Sequence, residues 1–564
     1  MSMSEAGEVL PGESLTRSQK VFTMVGALLG MLLAALDNTI VNTAGPQIQH
    51  DLEIRRELYV WITTAYLVSS TVLVPIYGKL SDLYGRRRIL LLAIGVFVAG
   101  SVLCGVSQSA LQMIGARAVQ GIGSAGLFTS AFAVSADLFP PAERGKWQGL
   151  FGAVFAVASV IGPLIGGFIT DTLSWHWAFF INLPVGAIAV AMIIARMPAL
   201  RFELAQRPRL DIAGAIALTV AAVPLLLALS LGHSAEASSG GWTWTSWQIL
   251  SLFATSVVGL SAFIAIERRA VSPLLDLELF RIRTFAVGTA SAFVVGGAFL
   301  AAIVFLPLFM VNVVGLSATS SGLTTMPLTF GIVAANITSG QLVSRLRAYK
   351  GLLLLSLVIL IGGYAVLALT LDTDATQGNV SAKMVLLGIG LGPAIPLFTL
   401  AVQNAVAPAR IGVATAATTF FRQMGSTIGI AIAGTVLASS FAASIETGMR
   451  EVRRELPAEV QPMLDAHNHN GPGGEFMFDP APAKQAFDRW LATQPAGDRD
   501  TLQPRLHAAA DRIAQLYRQA FTDALVRVSW VSMAIALLGL VMTLALPQLP
   551  LRGAAVRPAP GSEP

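Results

Sequence analysis

Fourteen apolar runs, each long enough to cross a bilayer, dominate this sequence. A helix needs about 20 apolar residues to span roughly 30 Å of hydrocarbon. Runs of that kind lie near 21–44, 58–78, 89–106, 111–136, 147–170, 178–197, 212–232, 247–266, 285–312, 319–343, 351–371, 382–406, 412–438 and 525–546. In lipid every backbone polar group must be satisfied within its own segment, so such runs read as helices. Together they use most of the 564 residues and leave no room for a large soluble domain. Only 12% of residues are charged, against roughly 25% in soluble domains. That balance excludes a disordered chain, a nucleic-acid-binding domain and an ordinary soluble enzyme. The one cysteine, Cys104, excludes a disulfide framework and a thiolate metal site. None of the six histidines falls inside an apolar run. No metal centre or cofactor is therefore expected, and His467-Asn468-His469 reads as solvated loop.

Basic residues set the orientation. Loops on one side carry Lys79, Arg86, Arg87, Arg88, Arg144, Lys146, Arg201, Arg207, Arg209, Arg268, Arg269, Arg281, Arg283, Arg345, Arg347, Lys350 and Arg410, while the short loops opposite carry Arg55 and Arg56, with Lys383 at a span edge. The positive-inside rule makes the first side cytoplasmic, and an even number of spans places both termini there. No cleavable signal pattern precedes the first span. One external loop, 439–523, is long. Its middle, from Asn468 to Pro482, is rich in Gly and Pro and reads as irregular. Its flanks read as helix: Leu506, Ile513, Leu516, Tyr517, Phe521 and Leu525 recur at helical spacing, and Ser444 to Leu456 prolongs the preceding span.

An internal repeat divides the chain. Gly78-Lys-Leu-Ser-Asp82-Leu-Tyr-Gly85-Arg86-Arg87-Arg88 ends span 2, and Gly340-Gln-Leu-Val-Ser344-Arg345-Leu-Arg347 ends span 10. Each follows the second span of a six-span set if spans 7 and 8 are an insertion, an arrangement typical of secondary transporters. The expected layout is a cytoplasmic tail (1–20), a six-helix bundle (21–200), two inserted helices with their flanks (201–284), a second bundle (285–546, with the external loop 439–523) and a cytoplasmic tail (547–564).

Motifs along the spans sharpen this. Span 1 ends Leu36-Asp37-Asn38-Thr39-Ile40-Val41-Asn42-Thr43-Ala44-Gly45-Pro46. Span 4 carries Arg117-Ala-Val-Gln120-Gly121-Ile-Gly123, span 5 Gly162-Pro163-Leu-Ile-Gly166-Gly167, and span 13 Arg422-Gln423-Met-Gly425. Trp175-His-Trp177-Ala-Phe179-Phe-Ile-Asn182-Leu-Pro184 opens span 6. With the Gly-x-Leu-x-Asp-x-x-Gly-Arg-Arg loop after span 2, the sequence resembles the fourteen-span drug/proton antiporter family (multidrug efflux branch) of the major facilitator superfamily. The resemblance implies an all-α membrane protein with the major facilitator fold, two six-helix bundles plus two inserted helices. It implies proton-coupled export of lipophilic or amphipathic small molecules by alternating access, driven by the proton gradient. The expected protein is a monomer in a bacterial cell (inner) membrane, with cargo, protons and membrane lipids as its partners. The same machinery would serve a dedicated exporter of an endogenous metabolite, antibiotic or lipid. The Gly162, Pro163, Gly166 and Gly167 motif is typical of antiporters, and in the family this span packs tightly across the two halves.

Particular residues follow from depth and charge. A carboxylate within a span costs several kcal/mol unless paired or wetted. Asp37 is the acid set well inside lipid depth, so it is the expected proton carrier. Counting residues from the span ends puts Asp37 and Arg117 both about 10 Å below the outer surface, at 1.5 Å per residue, which permits contact; the resemblance, through the family's packing of these spans around the cavity, implies that they are neighbours. Gln120 continues the polar stripe. Asp82, Arg86 and Asp137 are the expected gate, with Asp82 facing the N-terminal end of span 13 and Asp137 partnering Arg86. The expected substrate cavity draws on Asn38, Asn42, Trp61, Tyr66, Gln120, Phe305, Phe309, Met326, Phe330, Asn336, Phe420 and Arg422, with Phe299 and Phe398 as further aromatic candidates. Arg422 has no acid at its depth, which leaves carbonyls, Gln403 or Asn404, water or cargo as partners. Some family members that export dications carry an extra acid in span 10. This one has Met326, Phe330 and Asn336, which favours monocationic or neutral cargo.

Overall fold

The computed structural model describes residues 15–198, 210–232, 242–316, 326–456, 460, 480–493 and 496–551. Among these the chain is helical, with no β-strand. In the first half lie α1 (Arg17–Asp51), α2 (Arg56–Val72), α3 (Val74–Tyr84), α4 (Arg86–Gly105), α5 (Ala110–Leu138), α6 (Pro141–Thr172), α7 (His176–Phe180) and α8 (Asn182–Arg196). The inserted pair is α9 (Ile212–Leu231) and α10 (Trp247–Glu267). The second half holds α11 (Arg283–Asn312), α12 (Met326–Leu346), α13 (Lys350–Thr370), α14 (Gln377–Leu391), α15 (Ala394–Ala405), α16 (Ile411–Glu455), α17 (Pro480–Leu491) and α18 (Ala496–Leu544). Thirteen stretches are long and apolar enough to cross a membrane, and the pair α2–α3, bent by 44°, makes a fourteenth. The bend falls at Leu73, just ahead of Pro75, whose missing N–H and fixed φ favour the first turn of a new helix.

Local chemistry starts several helices. Thr16 and Gln19 form a reciprocal capping box at α1, and Ser109, Asp211 and Thr376 cap α5, α9 and α14 by accepting backbone N–H groups. Large apolar side chains remain on the outside, among them Phe168, Val257, Leu369 and Val541. An apolar exterior of this extent is the surface lipid covers. α9 and α10 pair closely, with Ser256 Oγ donating to the Ala221 carbonyl at 2.6 Å.

The repeat is visible in the backbone. Gly85, between α3 and α4, has φ +90°, and Arg347, 262 residues later between α12 and α13, has φ +52°. Both take the left-handed turn that reverses the chain. Glycine does this without penalty, whereas a side chain there costs about 1–2 kcal/mol.

The two bundles meet through α6 with α12, through α3 with α16 and through α15 with α6. Their closest approaches cluster at the end that carries the basic loops. A Cβ on Gly145 would lie 2.9 Å from the Gly340 carbonyl oxygen, and one on Gly149 would lie 3.0 Å from the Asn336 carbonyl oxygen. A Cβ on Gly78 would run into Ala416. The basic end is therefore closed. At the other end α16 and α18 run on far past the bilayer. Their 45 and 49 residues correspond to about 67 and 73 Å of helix, against roughly 30 Å of hydrocarbon. The extensions pack on each other: Phe441 meets Tyr517 edge-on at 5.5 Å, Leu516 fills the space at Gly448, and Leu506, Ile513 and Phe521 are fully buried. α17 joins them through Lys484 and Asp511 at 2.7 Å and Asp488 with His507 at 2.9 Å. The middle of the long loop, with His467 and His469, lies outside the described residues.

Candidate functional site

The deepest carboxylate is enclosed. Asp37 on α1 has no solvent exposure, and Arg117 on α5 has 1%. Glycines on α5 bring its neighbours close: a Cβ at Gly121 would strike Tyr66 and Ser69 of α2, and one at Gly123 would strike Phe97 of α4. That packing holds Arg117 against α1. Arg117 Nη1 donates to Asp37 Oδ2 at 2.6 Å and to Gln120 Oε1 at 2.6 Å. Gln120 Nε2 donates to Asp37 Oδ1 at 2.6 Å. Asn182, at the start of α8, donates from Nδ2 to the same oxygen at 3.1 Å. Gln120 and Asn182 also meet Ser101 Oγ of α4, at 3.2 and 2.8 Å, and that hydroxyl donates to the Phe179 carbonyl at 2.9 Å. The orientation of the Gln120 amide is forced. Its oxygen accepts from the guanidinium, so its NH2 faces the carboxylate. Asp37 thus accepts three bonds from groups that can only donate.

Behind the cation, the Tyr66 ring lies 4.3 Å from the Arg117 guanidinium carbon, and the Tyr66 hydroxyl donates to Ser124 Oγ at 2.7 Å. Asn38 Nδ2 reaches the Tyr66 hydroxyl at 3.4 Å. Tyr66 and Gln120, expected in a substrate cavity, are instead buried walls of the Asp37 cage, because Tyr66 faces α5 and Gln120 faces α1 rather than open space. Asn182 and Ser101 are functional candidates that spacing did not single out. Asn182 sits in the motif opening span 6, and only the fold brings it to span 1.

A second ionic cluster lies at the basic end. Arg86 Nη1 meets Asp82 Oδ1 at 2.5 Å, and Arg86 Nε meets Asp137 Oδ2 at 2.7 Å, all three groups being at most 10% exposed. Arg86 also donates to Ser81 Oγ at 2.9 Å. Asp82 Oδ2 accepts the Val413 backbone N–H at 3.0 Å. That N–H belongs to the first turn of α16, where unsatisfied donors and the helix dipole favour an anion. The cluster therefore ties α3, α4 and α5 of one bundle to α16 of the other. In the second repeat Ser344 bonds to the Gln341 carbonyl of its own helix, so this tie is made on one side only.

The remaining cavity candidates separate. Asn38 and Asn42 share the open face of α1, with Asn42 exposed, and Trp61 is half-buried. Five expectations are corrected. Phe330 is 61% exposed, on the face of α12 opposite Leu328, Asn336 and Val343, so it points away from the interior. Phe305 and Phe309 are packed into the core of the second bundle. Phe420 is buried against Phe421 in the core that joins the bundles. Asn336 lies in the inter-bundle seam against Gly149 and Gly152 of α6. Met326, half-buried, opens α12. Arg422 lines a small cavity with Gly296, Phe299, Ile395 and Phe398. Gln403 Nε2 donates to Thr415 Oγ1 at 3.0 Å, and Asn404 Nδ2 to the Pro550 carbonyl at 3.1 Å.

The span 5 motif glycines Gly162 and Gly166 themselves face α1 of their own bundle. A Cβ on Gly162 would strike Thr39, and one on Gly166 would lie 3.2 Å from Thr43 Cβ, both on α1 of the same bundle. A Cβ on Gly167 would meet nothing within 4 Å. Thr39 Oγ1 donates to the Ala158 carbonyl at 3.0 Å across this contact. The half-to-half approach uses another set on α6: Gly145, Gly149 and Gly152. Their spacing of four and three residues is the small-residue signal that marks such a face.

The sequence profile of the Major Facilitator Superfamily matches residues 27–430. The chain belongs to the Major Facilitator Superfamily. It is a transporter and not an enzyme. Among superfamily relatives, the multidrug transporter protein MdtP of Bacillus subtilis (strain 168) is 40% identical over 438 residues, 78% of this chain and 77% of that protein. Multidrug resistance protein 3 of the same organism is 39% identical over 421 residues, 74% of this chain and 80% of that protein. The MFS-type efflux pump LUC4 of a Fusarium species is 31% identical over 541 residues, 94% and 87% of the two chains. Among solved structures, the proton:xylose symporter XylE superposes with a TM-score of 0.58 at 12% identity over 95% of this chain and 97% of its own. The human organic anion transporter MFSD10 gives 0.53 at 16% over 74% and 93%. At such identities these two show the fold alone. The superfamily match stops at residue 430, so the tall outer extensions of α16 and α18 lie beyond it. Among the described residues no group of three or more His, Cys, Asp or Glu is placed to hold a metal ion.

Proposed function

We propose that this chain is a proton-coupled antiporter that exports lipophilic or amphipathic small molecules from a bacterial cytoplasm across the cell (inner) membrane. The observation that carries the reading is the Asp37 cage: a fully buried carboxylate of α1 whose partners come from α5 and α8. Protonation removes the negative end of that network. Arg117 then loses its counter-ion in a low-dielectric site, where an unpaired charge is strongly unfavourable. Repacking of α1 and α5 relieves this, and α1 also carries Asn38 and Asn42 on its more open face. The charge state of one side chain thereby biases which way the protein faces.

The closed basic end fits one phase of such a cycle. By the distribution of basic loops that end is cytoplasmic and both termini lie inside, so the conformation is outward-facing. Asp82, Arg86 and Asp137 act as the inner latch, holding the α16 N-terminus until the cycle turns. Among the described residues α12 carries no acid, which supports neutral or monocationic cargo over dications. The functional unit is a monomer, surrounded by lipid and driven by the proton gradient.

The test is transport in reconstituted vesicles with an imposed pH gradient, followed by efflux of ethidium. Asp37→Asn keeps shape and removes the titrating group; its gradient-driven flux is expected to fall at least about tenfold, the loss that follows from about 1.4 kcal/mol of coupling. Undiminished flux in well-folded Asp37→Asn would falsify the proton-carrier role.

A further inference from the structure

The inserted pair carries its charge in one place. α9 has no charged side chain, and α10 has Glu267 alone, its last residue. Glu267 is 4% exposed. Beside it stands Asp211, the residue that caps α9. A Cβ on Gly214 would lie 2.6 Å from Asp211 Oδ2 and 2.9 Å from Glu267 Oε1, so the two carboxyl groups border one small space. One oxygen of each is satisfied by backbone. Asp211 Oδ1 accepts the Gly214 N–H at 2.8 Å, and Glu267 Oε1 accepts the Leu274 N–H at 3.1 Å, with the Leu275 N–H also turned toward this carboxyl. The other two oxygens, Asp211 Oδ2 and Glu267 Oε2, are buried and have no hydrogen-bond partner among the described residues.

Two ionised carboxylates are costly there. Like charges side by side disfavour the second ionisation, and buried acceptors without donors add to the cost. The charged groups around the pair do not remove it. Lys79 of α3 is the cation whose field reaches Glu267, and it acts on Asp82 and Asp276 as well. Arg410 is engaged by Asp276 at 2.7 Å, and Glu278 lies 3.9 Å from the same guanidinium. Arg268, Arg269, Arg281 and Arg283 are exposed. The charged residues of α2 are its first two, at the opposite end, and α16 has none before Arg422. One ammonium against two carboxylates leaves one negative charge over, and one proton cancels it. That proton also supplies the missing donor.

We propose that Asp211 and Glu267 hold one proton between them, forming a second proton-binding site at the basic end, apart from the Asp37 cage, and that its occupancy steadies the inner latch. A chain of contacts joins the two. Glu267 holds the Leu274 N–H; two residues on, Asp276 binds Arg410, which immediately precedes α16; and α16 gives the Val413 N–H to Asp82. On release the proton passes to solvent and leaves two carboxylates. Their repulsion drives Glu267 from Asp211 and loosens the turn at Leu274. A low proton concentration at the basic end therefore favours opening there. The effect on the latch rests on the reading of Asp82, Arg86 and Asp137 as a gate, whereas the proton site stands on its own geometry.

Infrared spectroscopy reads the proton directly. The full chain in nanodiscs of zwitterionic lipid is titrated from about pH 5 to about pH 9, the range in which buried carboxyl groups lose their protons. A carboxylic-acid carbonyl band should vanish as pH rises. It should be missing from Glu267→Gln and persist in Asp37→Asn. In Asp211→Asn, which keeps the α9 cap, it should vanish at lower pH because the like charge is gone. A spectrum unchanged in folded Glu267→Gln overturns the proposal. So does a band that appears only after chelation of divalent cations, since the occupant is then a metal ion. The latch is read by maleimide labelling of a cysteine placed at Ala416. Raising the pH should speed labelling about tenfold more in the unaltered site than in Glu267→Gln, whose amide mimics the loaded state. Equal pH profiles overturn the proposal. Neither failure touches Asp37-dependent ethidium flux, so both are distinguishable from failure of the antiport reading.

Discussion

At the scale of single residues, the cage around Asp37 is a set of obligate donors. Arg117, Gln120 and Asn182 offer the carboxylate protons and no competing acceptor. Hydrogen bonds to a charged group contribute about 1.5–3 kcal/mol each. Asn182→Ala removes one such bond to the ionised form and also releases Ser101. Gradient-driven export is expected to fall about tenfold, with the protein still monodisperse, in the same vesicle assay. Asp37 and Arg117 were legible in the sequence because an acid and a base at matching depth have few alternatives. Asn182 and Ser101 were not. Their types are common in membrane helices, and only the packing of α4 and α8 on α1 reveals their common target.

Helix packing is decided by which face each glycine occupies. A Cβ at Gly162 collides with Thr39, whereas one at Gly167 enters open space. Gly162→Ala should therefore destabilise the first bundle by about 1–3 kcal/mol, as overpacking does. Gly167→Ala should stay within about 0.5 kcal/mol. Melting temperatures in detergent separate the two, and equal effects would refute this assignment of faces. The span lengths, the repeat and the 6 + 2 + 6 order follow from hydropathy and motif position, since lipid thickness fixes a period that a reader can count. Faces are harder. Phe330 and Phe309 are equally apolar in the sequence, yet one is 61% exposed and the other fully buried. Lipid and protein interior are both apolar, so hydropathy does not distinguish them.

For the whole molecule, the closed basic end is a statement about state. Gly149 of α6 and Ile337 of α12 face each other across the seam, with a Cβ on Gly149 placed 3.2 Å from the Ile337 Cα. Gly149→Cys with Ile337→Cys should cross-link on oxidation and stop transport, and a reductant should restore it. Cys104 is buried and will not interfere. Transport that continues in fully cross-linked protein would show that this seam never opens. Asp82→Asn tests the same closure from its charged side. Weakening the anion at the α16 N-terminus should shift the population toward the state open at the basic end, read as faster labelling of a cysteine placed at Ala416.

One rod carries both the latch contact and Arg422. α16 is continuous from Ile411 to Glu455, with Val413 at its base, Arg422 near mid-membrane and about 50 Å of helix beyond Arg422 at 1.5 Å per residue. A tilt of about 10° around mid-membrane would sweep the far tip by roughly 9 Å. Sub-ångström events near the base are therefore magnified above the lipid surface, like the pointer of a balance. A fluorophore on the tip would register each turn of the cycle from the end opposite the basic loops.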